Sequence, residues 1–146
     1  MKHILSLSIA TAIAMATASC GSENDLIAFS ELPQTTQQFI NAHFSEGDVR
    51  VIFREKGTFK TDYEVCLFNA TTIDFDGDGE LSRIEFSQNA NDADIVPQAI
   101  EDYVANNFQG NSVCEYTLKG KKQLVKLSNN NVLMFDRDGN FLGLAE

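Results

Sequence analysis

Histidine is scarce in this chain of 146 residues, which contains only His3 and His43. A catalytic zinc site or a nucleophile–histidine pair needs imidazole, so this scarcity argues against both kinds of site. Positive charge is scarce as well, because 11 Lys and Arg stand against 21 Asp and Glu, for a net charge of −10. Such a surface repels phosphate groups, so the composition predicts no nucleic-acid partner. It leaves cations and basic protein surfaces as favoured partners.

The chain also lacks an apolar run long enough to span a bilayer. Residues 4–15 are apolar behind a basic start, but a spanning helix needs about 20 residues. The small residues that follow indicate a signal peptide over residues 1–19. Because they end at Cys20, the pattern predicts a lipoprotein that is anchored to the membrane only through lipidated Cys20, in the periplasm or at the cell surface. Ordinary cleavage after Ala18, which leaves a free Cys20, is the alternative.

One sequence pattern occurs twice in the remaining chain. Pro33 opens a stretch that recurs 64 positions later at Pro97, and segment 75–79 recurs 60 positions later at 135–139. Repetition at a nearly constant spacing indicates a duplicated structural unit.

The chain accordingly divides into a signal peptide, a polar tether at 20–29 and one domain of two repeats. Repeat one covers 30–86 and repeat two covers 94–146, with a polar link between them. Each repeat opens with apolar residues at helical spacing and continues with four short β-branched or aromatic segments separated by turns. We therefore expect an α+β fold in which each repeat is a helix followed by a four-stranded antiparallel meander. The strands should form a curved sheet with both helices on one face.

Period-two alternation assigns the side chains of the predicted strands to two faces. The residues that are apolar in both copies should face the helices: Val65, Leu67, Ile73, Phe75, Val125, Leu127, Leu133 and Phe135. The opposite face should carry Phe68, Leu124 and Met134, and Tyr116 with them, which makes these four a candidate contact surface. Scattered exposed apolar residues are common, and that is the alternative explanation.

Cys66 and Cys114 fall in different predicted strands of different copies. With strands about 4.8 Å apart they should lie too far from each other to bridge, so we expect two free thiols. A disulfide would persist outside the cytoplasm and is the alternative. The chain has no CxxC motif and no indicated nucleophile–base pair, so the sequence predicts a protein that is not an enzyme.

Residues 74–85 match the twelve-residue calcium loop of the EF-hand, including the glycine at its sharp turn. The predicted ligands of a Ca²⁺ ion are Asp74, Asp76, Asp78, Glu80 (through its carbonyl) and Glu85. The surroundings differ from an EF-hand, because a predicted strand precedes the loop where an EF-hand has a helix. Repeat two also has Met134 in the place of Asp74. A charged β-turn is therefore the alternative.

Several short motifs recur in a fixed order along the two copies. They are Leu32-Pro33, Tyr63-Glu64-Val65, Ile73-Asp74-Phe75-Asp76 with Gly79, Val96-Pro97 and Leu133-Met134-Phe135-Asp136 with Gly139. Their order and doubling over about residues 30–146 resemble the PepSY-like, β-lactamase-inhibitor-protein-like family of small exported proteins.

The resemblance implies tandem units that share a curved sheet, and it implies no catalysis. Peptide binding or inhibition follows from the name of the fold only by analogy. We therefore expect a non-enzymatic exported lipoprotein that binds a protein or peptide through its open sheet face. The alternative is an exported calcium-binding protein that uses loop 74–85.

Overall fold

The computed structural model describes residues 23–87 and 94–145, so the predicted signal peptide and Cys20 lie outside the described residues. Short 3-10 turns occupy Phe29–Glu31 and Glu46–Asp48. The helices and strands are β1 (Glu23–Leu26), α1 (Gln34–His43), β2 (Val49–Lys56), β3 (Thr61–Leu67), β4 (Thr72–Phe75), β5 (Leu81–Glu85), α2 (Gln98–Asn107), β6 (Val113–Lys119), β7 (Lys122–Leu127), β8 (Val132–Phe135) and β9 (Phe141–Ala145).

All nine strands of residues 23–87 and 94–145 belong to one antiparallel sheet in chain order, from β1 at one edge to β9 at the other. The two repeats join where β5 pairs with β6, with Ile84 opposite Tyr116. The predicted architecture of four strands per repeat is therefore wrong, because a ninth strand lies before the first helix. The α+β class holds, since two helices accompany the sheet.

The extra strand, β1, occupies part of the segment that the sequence indicated as a polar tether. It pairs with the outer half of β2, from Leu26 opposite Phe53 to Glu23 opposite Lys56. Asp25 adds ion pairs with Arg54 at 3.1 Å and Lys56 at 2.7 Å. Backbone pairing at a sheet edge does not require apolar side chains, which is why the hydrophobic pattern did not predict this strand.

The core lies between the sheet and the two helices. Ile40 of α1 and Ile100 of α2 are both fully buried against strand residues. Phe39 packs edge-on against Phe75 with ring centres 5.4 Å apart, and Tyr103 packs in the same way against Phe135 at 5.5 Å. All eight residues that the sequence assigned to the helix-facing side are buried, each at most 1% exposed: Val65, Leu67, Ile73, Phe75, Val125, Leu127, Leu133 and Phe135.

Helix α1 also holds the turn between β4 and β5. The hydroxyl of Thr35 donates to the carbonyl of Asp78 at 2.9 Å, and the buried hydroxyl of Thr36 donates to the carbonyl of Gly79 at 3.0 Å. Gly79 has a φ of +84° and sits so close to α1 that an added Cβ would lie 2.3 Å from the Thr35 hydroxyl. Only glycine meets both requirements at this position.

Candidate functional site

The side of the sheet that faces away from the helices, called the open face below, carries a continuous row of residues from β1 to β9. Residues directly opposite each other on neighbouring strands point to the same side. This row alternates with the buried row that faces the helices, so its side chains lie on the helix-free side. In strand order its members are Leu26, Phe53, Glu64, Asp74, Arg83, Thr117, Leu124, Met134 and Gly143.

A second row runs beside the first on the same face. In strand order it contains Val51, Cys66, Thr72, Glu85, Glu115, Lys126, Val132 and Ala145. Together the two rows place two contrasting groups next to each other. We call the acidic group on β3–β6 the carboxylate cluster (Glu64, Asp74, Glu85 and Glu115). We call the group on β7–β9 the apolar patch (Leu124, Val132, Met134, Gly143 and Ala145).

Arg83 lies in the middle of the carboxylate cluster and binds three of its four members. Its Nη1 lies 3.2 Å from Asp74 Oδ2, and its Nη2 lies 2.7 Å from Glu85 Oε2 and 3.0 Å from Glu115 Oε2. The pair with Glu115 joins β5 of repeat one to β6 of repeat two. One guanidinium therefore neutralises only part of the charge of three carboxylates.

The same contacts shift the titration of these groups in opposite directions. The hydrogen bond from Arg83 lowers the pKa of Glu115, and the hydrogen bond to Glu115 is in turn the main cause that raises the pKa of Arg83. The pKa of Asp74 is raised, because the partial burial of its carboxyl outweighs the opposing effect of Arg83. Charge on Asp74 is thus disfavoured by the fold, whereas charge on Glu115 is favoured.

Glu64 is the member of the cluster that makes no ion pair within the described residues. It lies directly opposite Asp74 on the neighbouring strand, so two carboxylates face each other there. Its Oε1 accepts a contact from the Cys66 thiol at 3.4 Å, and the pKa of that thiol is raised by burial and by this glutamate. Cys66 on β3 and Cys114 on β6 are both free thiols in the structure, as expected from their strand positions.

The apolar patch surrounds Met134. Met134 lies directly opposite Leu124 on one neighbouring strand and directly opposite Gly143 on the other. The side chains of Leu124 and Met134 are half-buried. Gly143 contributes no side chain, and a Cβ added there would meet no atom within 4 Å. The flank of Met134 towards the edge strand is therefore open.

The structure brings Leu124 and Met134 together as predicted, but it separates the other two residues of the predicted contact surface. Phe68 is 69% exposed and lies in the turn after β3, beyond the two rows. The placement of Tyr116 on the open face is wrong, since it is only 4% exposed and its hydroxyl donates to Gln123 Oε1 at 2.5 Å. Its strand position lies opposite Ile84 and Val125 in the buried row, a register that sequence alone does not reveal.

The predicted calcium ligands do not converge on one point. Asp74 and Glu85 are both bound to Arg83, which is itself the tenth residue of the predicted loop. Asp76 Oδ1 accepts hydrogen bonds from the backbone N–H groups of Asp78 and Glu80, each at 3.0 Å. The carbonyl of Glu80, a predicted ligand, accepts the N–H of Asp76 at 2.9 Å.

The corresponding turn of repeat two has the same hydrogen bonds without the extra carboxylates. Asp136 Oδ1 accepts from the N–H groups of Asp138 at 2.9 Å and Asn140 at 2.8 Å. Within residues 23–87 and 94–145, no group of three or more His, Cys, Asp or Glu side chains is arranged to hold a metal ion. In this conformation, loop 74–85 does not fit a calcium ion, because Asp76 binds backbone N–H groups of the hairpin turn and Arg83 binds Asp74 and Glu85.

Sequence reasoning assigned no role to Arg83, although the structure makes it the centre of the charged half of the open face. A signal was present, because Ile84 is apolar in an alternating strand, and this places its neighbours Arg83 and Glu85 on the same open face. The contact between Arg83 and Glu115 could not be predicted from alternation along one strand, because it depends on the pairing of β5 with β6.

Comparison with known proteins gives one family and several solved structures. Residues 21–65 and 61–143 match the family described as beta-lactamase-inhibitor-like, PepSY-like. The chain is similar to a crystal structure described as a calcium-regulated periplasmic protein of Bacteroides thetaiotaomicron, with 30% identity, a TM-score of 0.77, and coverage of 84% of this chain and 97% of that one. The comparison with curated proteins gives no match.

Two periplasmic proteins of Bacteroides vulgatus are also similar. One has 29% identity and a TM-score of 0.74 and covers 85% of this chain and 98% of its own. The other, described as of unknown function, has 28% identity and a TM-score of 0.75 and covers 86% of this chain and 100% of its own. No helix in the described part of the chain is long and apolar enough to cross a membrane.

Proposed function

The chain belongs to the PepSY-like, beta-lactamase-inhibitor-like family of exported, non-enzymatic proteins, and on that premise we propose that it is a binding module that holds a protein or peptide on its open face. The observation that carries this proposal is the difference between the two repeats on that face. The helix-facing residues are nearly the same in both copies, whereas the open-face residues are not.

Equivalent positions lie 60 residues apart from β3 onwards. On the helix-facing side Val65 corresponds to Val125 and Phe75 to Phe135. On the open face the residues that correspond are Glu64 and Leu124, Asp74 and Met134, Arg83 and Gly143, and Glu85 and Ala145. A face that only had to tolerate water would need no apolar cluster in the second copy, and clustered apolar side chains on an exposed sheet face are typical of contact surfaces.

A selection with random peptides displayed on phage tests the proposal. The library is panned in parallel against the full chain and against its Leu124→Asp/Met134→Asp double variant, after circular dichroism has been used to check that each protein is folded. We expect peptides that are enriched on the unchanged chain and lost on the double variant, because a buried charge weakens an apolar contact.

The control is Gln38→Asp, which adds a charge on the exposed side of α1 and should leave the enrichment unchanged. Peptides that are enriched equally on all three proteins, or no enriched peptide at all, would contradict the proposal.

We further propose that Cys20 anchors the module to the membrane through lipid, as the small residues before it indicate. Mass spectrometry of the protein purified from membranes tests this. The first mature residue should be a lipid-modified Cys20, and Cys20→Ser should release the protein into the soluble fraction. An unmodified N-terminus after residue 18 or 19 would rule the anchor out.

Calcium binding by loop 74–85 is a second candidate function, favoured by the similarity to a protein described as calcium-regulated. In this structure Arg83 holds Asp74 and Glu85, so these two carboxylates would have to leave the guanidinium before they could serve as ligands. Oxygen ligands from Asp and Glu are the type that calcium takes in proteins.

Thermal unfolding in millimolar calcium, millimolar magnesium and chelator tests the second candidate. A ligand that binds only the folded state raises the unfolding temperature by mass action. A rise that is selective for calcium, that is lost in Asp74→Ala, and that remains in Asp138→Ala of the matching turn would support it. Coincident melting curves under all three conditions would exclude it.

A further inference from the structure

We infer that the partner of the open face presents an apolar group next to a basic side chain, with the apolar group on the apolar patch and the basic side chain over the carboxylate cluster. This inference rests on the proposed function and adds the chemistry and the orientation of the partner. It follows from two features of the open face, the open flank of the apolar patch and the unneutralised negative charge of the carboxylate cluster.

In the part of the chain that the structure describes, the apolar patch is half-buried and open on its flank at Gly143. Leu124 and Met134 lie opposite each other, Val132 lies beside them in the second row, and the flank at Gly143 is open. The helices pack on the other side of the sheet and cannot reach it. Removal of apolar side chains from water is worth about 25 cal/mol per Å², so an apolar partner group is favoured here.

In the described part of the chain, the carboxylate cluster holds more negative charge than its ion pairs neutralise. Arg83 binds three of the four carboxylates, and Glu64 makes no ion pair among the described residues. Lys126 lies opposite Glu115, but β3 and β4 supply no cation to the two rows. Like charges directly opposite each other, as in Glu64 and Asp74, destabilise a sheet. A cation from outside would relieve this repulsion, which an anionic or purely apolar partner would not do.

The two halves are close enough for one partner to cover both. Arg83 on β5 and Leu124 on β7 are separated by a single strand, with Thr117 of β6 between them in the row. Strand spacing of about 4.8 Å then puts Arg83 roughly 10 Å from Leu124, and Asp74 roughly 19 Å from Met134. Glu115 of the cluster lies on the strand next to Leu124. A short extended or helical segment spans this distance, with a basic residue at one end and an apolar residue at the other.

The peptides selected on the open face provide the test. Face-dependent peptides should contain Lys or Arg together with apolar residues more often than the unselected library does. A synthetic copy of the most enriched peptide is then titrated by fluorescence polarisation against the full chain and its variants. Glu64→Gln should weaken binding by about two- to fivefold, and this effect should shrink at high salt.

The charge-matched control is Glu46→Gln, which removes one exposed carboxylate from the turn before β2 and lies outside both rows. It should leave the affinity unchanged. Met134→Asp should weaken binding at least about tenfold, since it removes the apolar contact itself.

The outcomes separate this inference from the proposed function. Face-dependent peptides without basic residues, or an affinity that Glu64→Gln does not change, would overturn the inference and leave the open face as a binding surface. An absence of face-dependent peptides would overturn both. Enriched peptides that are basic and apolar and that respond to Glu64→Gln and Met134→Asp would establish it.

Discussion

Repeat one and repeat two use the same core to present two different surfaces. Phe75 and Phe135 are both fully buried, and each packs edge-on against an aromatic residue of its own helix. On the other side of the same strands, Asp74 of repeat one is part of an ion-pair network, whereas Met134 of repeat two lies in an apolar patch. The residue types on the helix-facing side are constrained because they must pack against a helix. The residue types on the open face are not constrained in this way, so they can differ between the repeats.

The hairpin turns of the two repeats show the same contrast at a smaller scale. Asp76 and Asp136 accept equivalent backbone hydrogen bonds, so the two turns have the same internal structure. Their attachment to the helix differs. Thr35 and Thr36 donate hydrogen bonds to the first turn, whereas Ala99 lies at the second, 3.1 Å from the place that a Cβ added to Gly139 would take. Helix α1 therefore makes polar contacts with its turn at positions where α2 has the apolar residues Ala99 and Ile100.

The sharpest test of the shared core is the removal of its two aromatic rings. Phe75→Ala and Phe135→Ala should each lower the free energy of unfolding by about 3–5 kcal/mol, because both rings are fully buried and leave a cavity. Urea unfolding followed by circular dichroism measures both values. If one variant lost less than about half as much as the other, the two cores would not be equivalent.

A glycine pair tests how the turns are attached. Gly79 and Gly139 share a φ of +84°, but an added Cβ would lie 2.3 Å from the Thr35 hydroxyl at Gly79 and 3.1 Å from Ala99 at Gly139. Alanine at either position strains the backbone by about 1–2 kcal/mol, and only Gly79→Ala adds a severe clash. We expect Gly79→Ala to lower the free energy of unfolding by about 3 kcal/mol and Gly139→Ala by about 1 kcal/mol. Equal losses in the free energy of unfolding would show that α1 can move away from the added Cβ at Gly79 at little cost.

The hydroxyl of Thr36 tests the polar attachment directly. Thr36→Val keeps the shape of the side chain but removes the donor to the buried carbonyl of Gly79, which should lower the free energy of unfolding by about 1–2 kcal/mol. Thr35→Val is the matched control, since its hydroxyl bond is exposed and should contribute less. Denaturant unfolding compares the two, and a larger effect for Thr35→Val would contradict the assignment.

The smallest effects should come from two carboxylates that Arg83 binds, Glu115 of repeat two and Asp74 of repeat one, and they should have opposite signs. The lowered pKa of Glu115 stabilises the fold above its unfolded value of about 4.3, and this contribution is lost as pH falls through the folded-state pKa. The raised pKa of Asp74 makes its charge unfavourable at neutral pH. Glu115→Gln should therefore destabilise at pH 7, and Asp74→Asn should slightly stabilise, each by less than about 1 kcal/mol.

Unfolding measured between acidic and neutral pH checks this pair of variants. Both differences from the unchanged chain should fade towards acidic pH, where the two carboxyls are protonated in the folded and unfolded states. Destabilisation by Asp74→Asn at pH 7 would show that its ion pair with Arg83 outweighs the burial of its carboxyl.

Much of the fold could be predicted from local patterns, and the misses have a common cause. The duplicated spacing, the helices, the eight later strands and the buried alternate residues all follow from short-range periodicity, as Val65 and Val125 illustrate. Strand β1 was missed because its residues do not alternate between apolar and polar, and it forms by pairing with the free edge of β2.

The candidate site was predicted less completely for the same reason. Leu124 and Met134 were predicted because their two strands, β7 and β8, alternate cleanly between the two faces. Tyr116 was misplaced because its face depends on how β6 pairs with β5 and β7. The calcium pattern at 74–85 did not reveal that Arg83 would bind two of its carboxylates, since a motif gives the spacing of ligands and not the position of a neighbouring cation.

The sequence by itself determined the duplicated unit, the composition of the core and the acidic character of the surface, because these depend on residue type and on spacing along the chain. Only the tertiary structure decided that the two repeats join through the pairing of β5 with β6, that Arg83 joins carboxylates of both repeats, and that the carboxylate cluster and the apolar patch meet on adjacent strands. Those features depend on cross-strand register. Register is set by the packing of whole strands against each other and against the helices, and a one-residue slip would move every side chain to the opposite face.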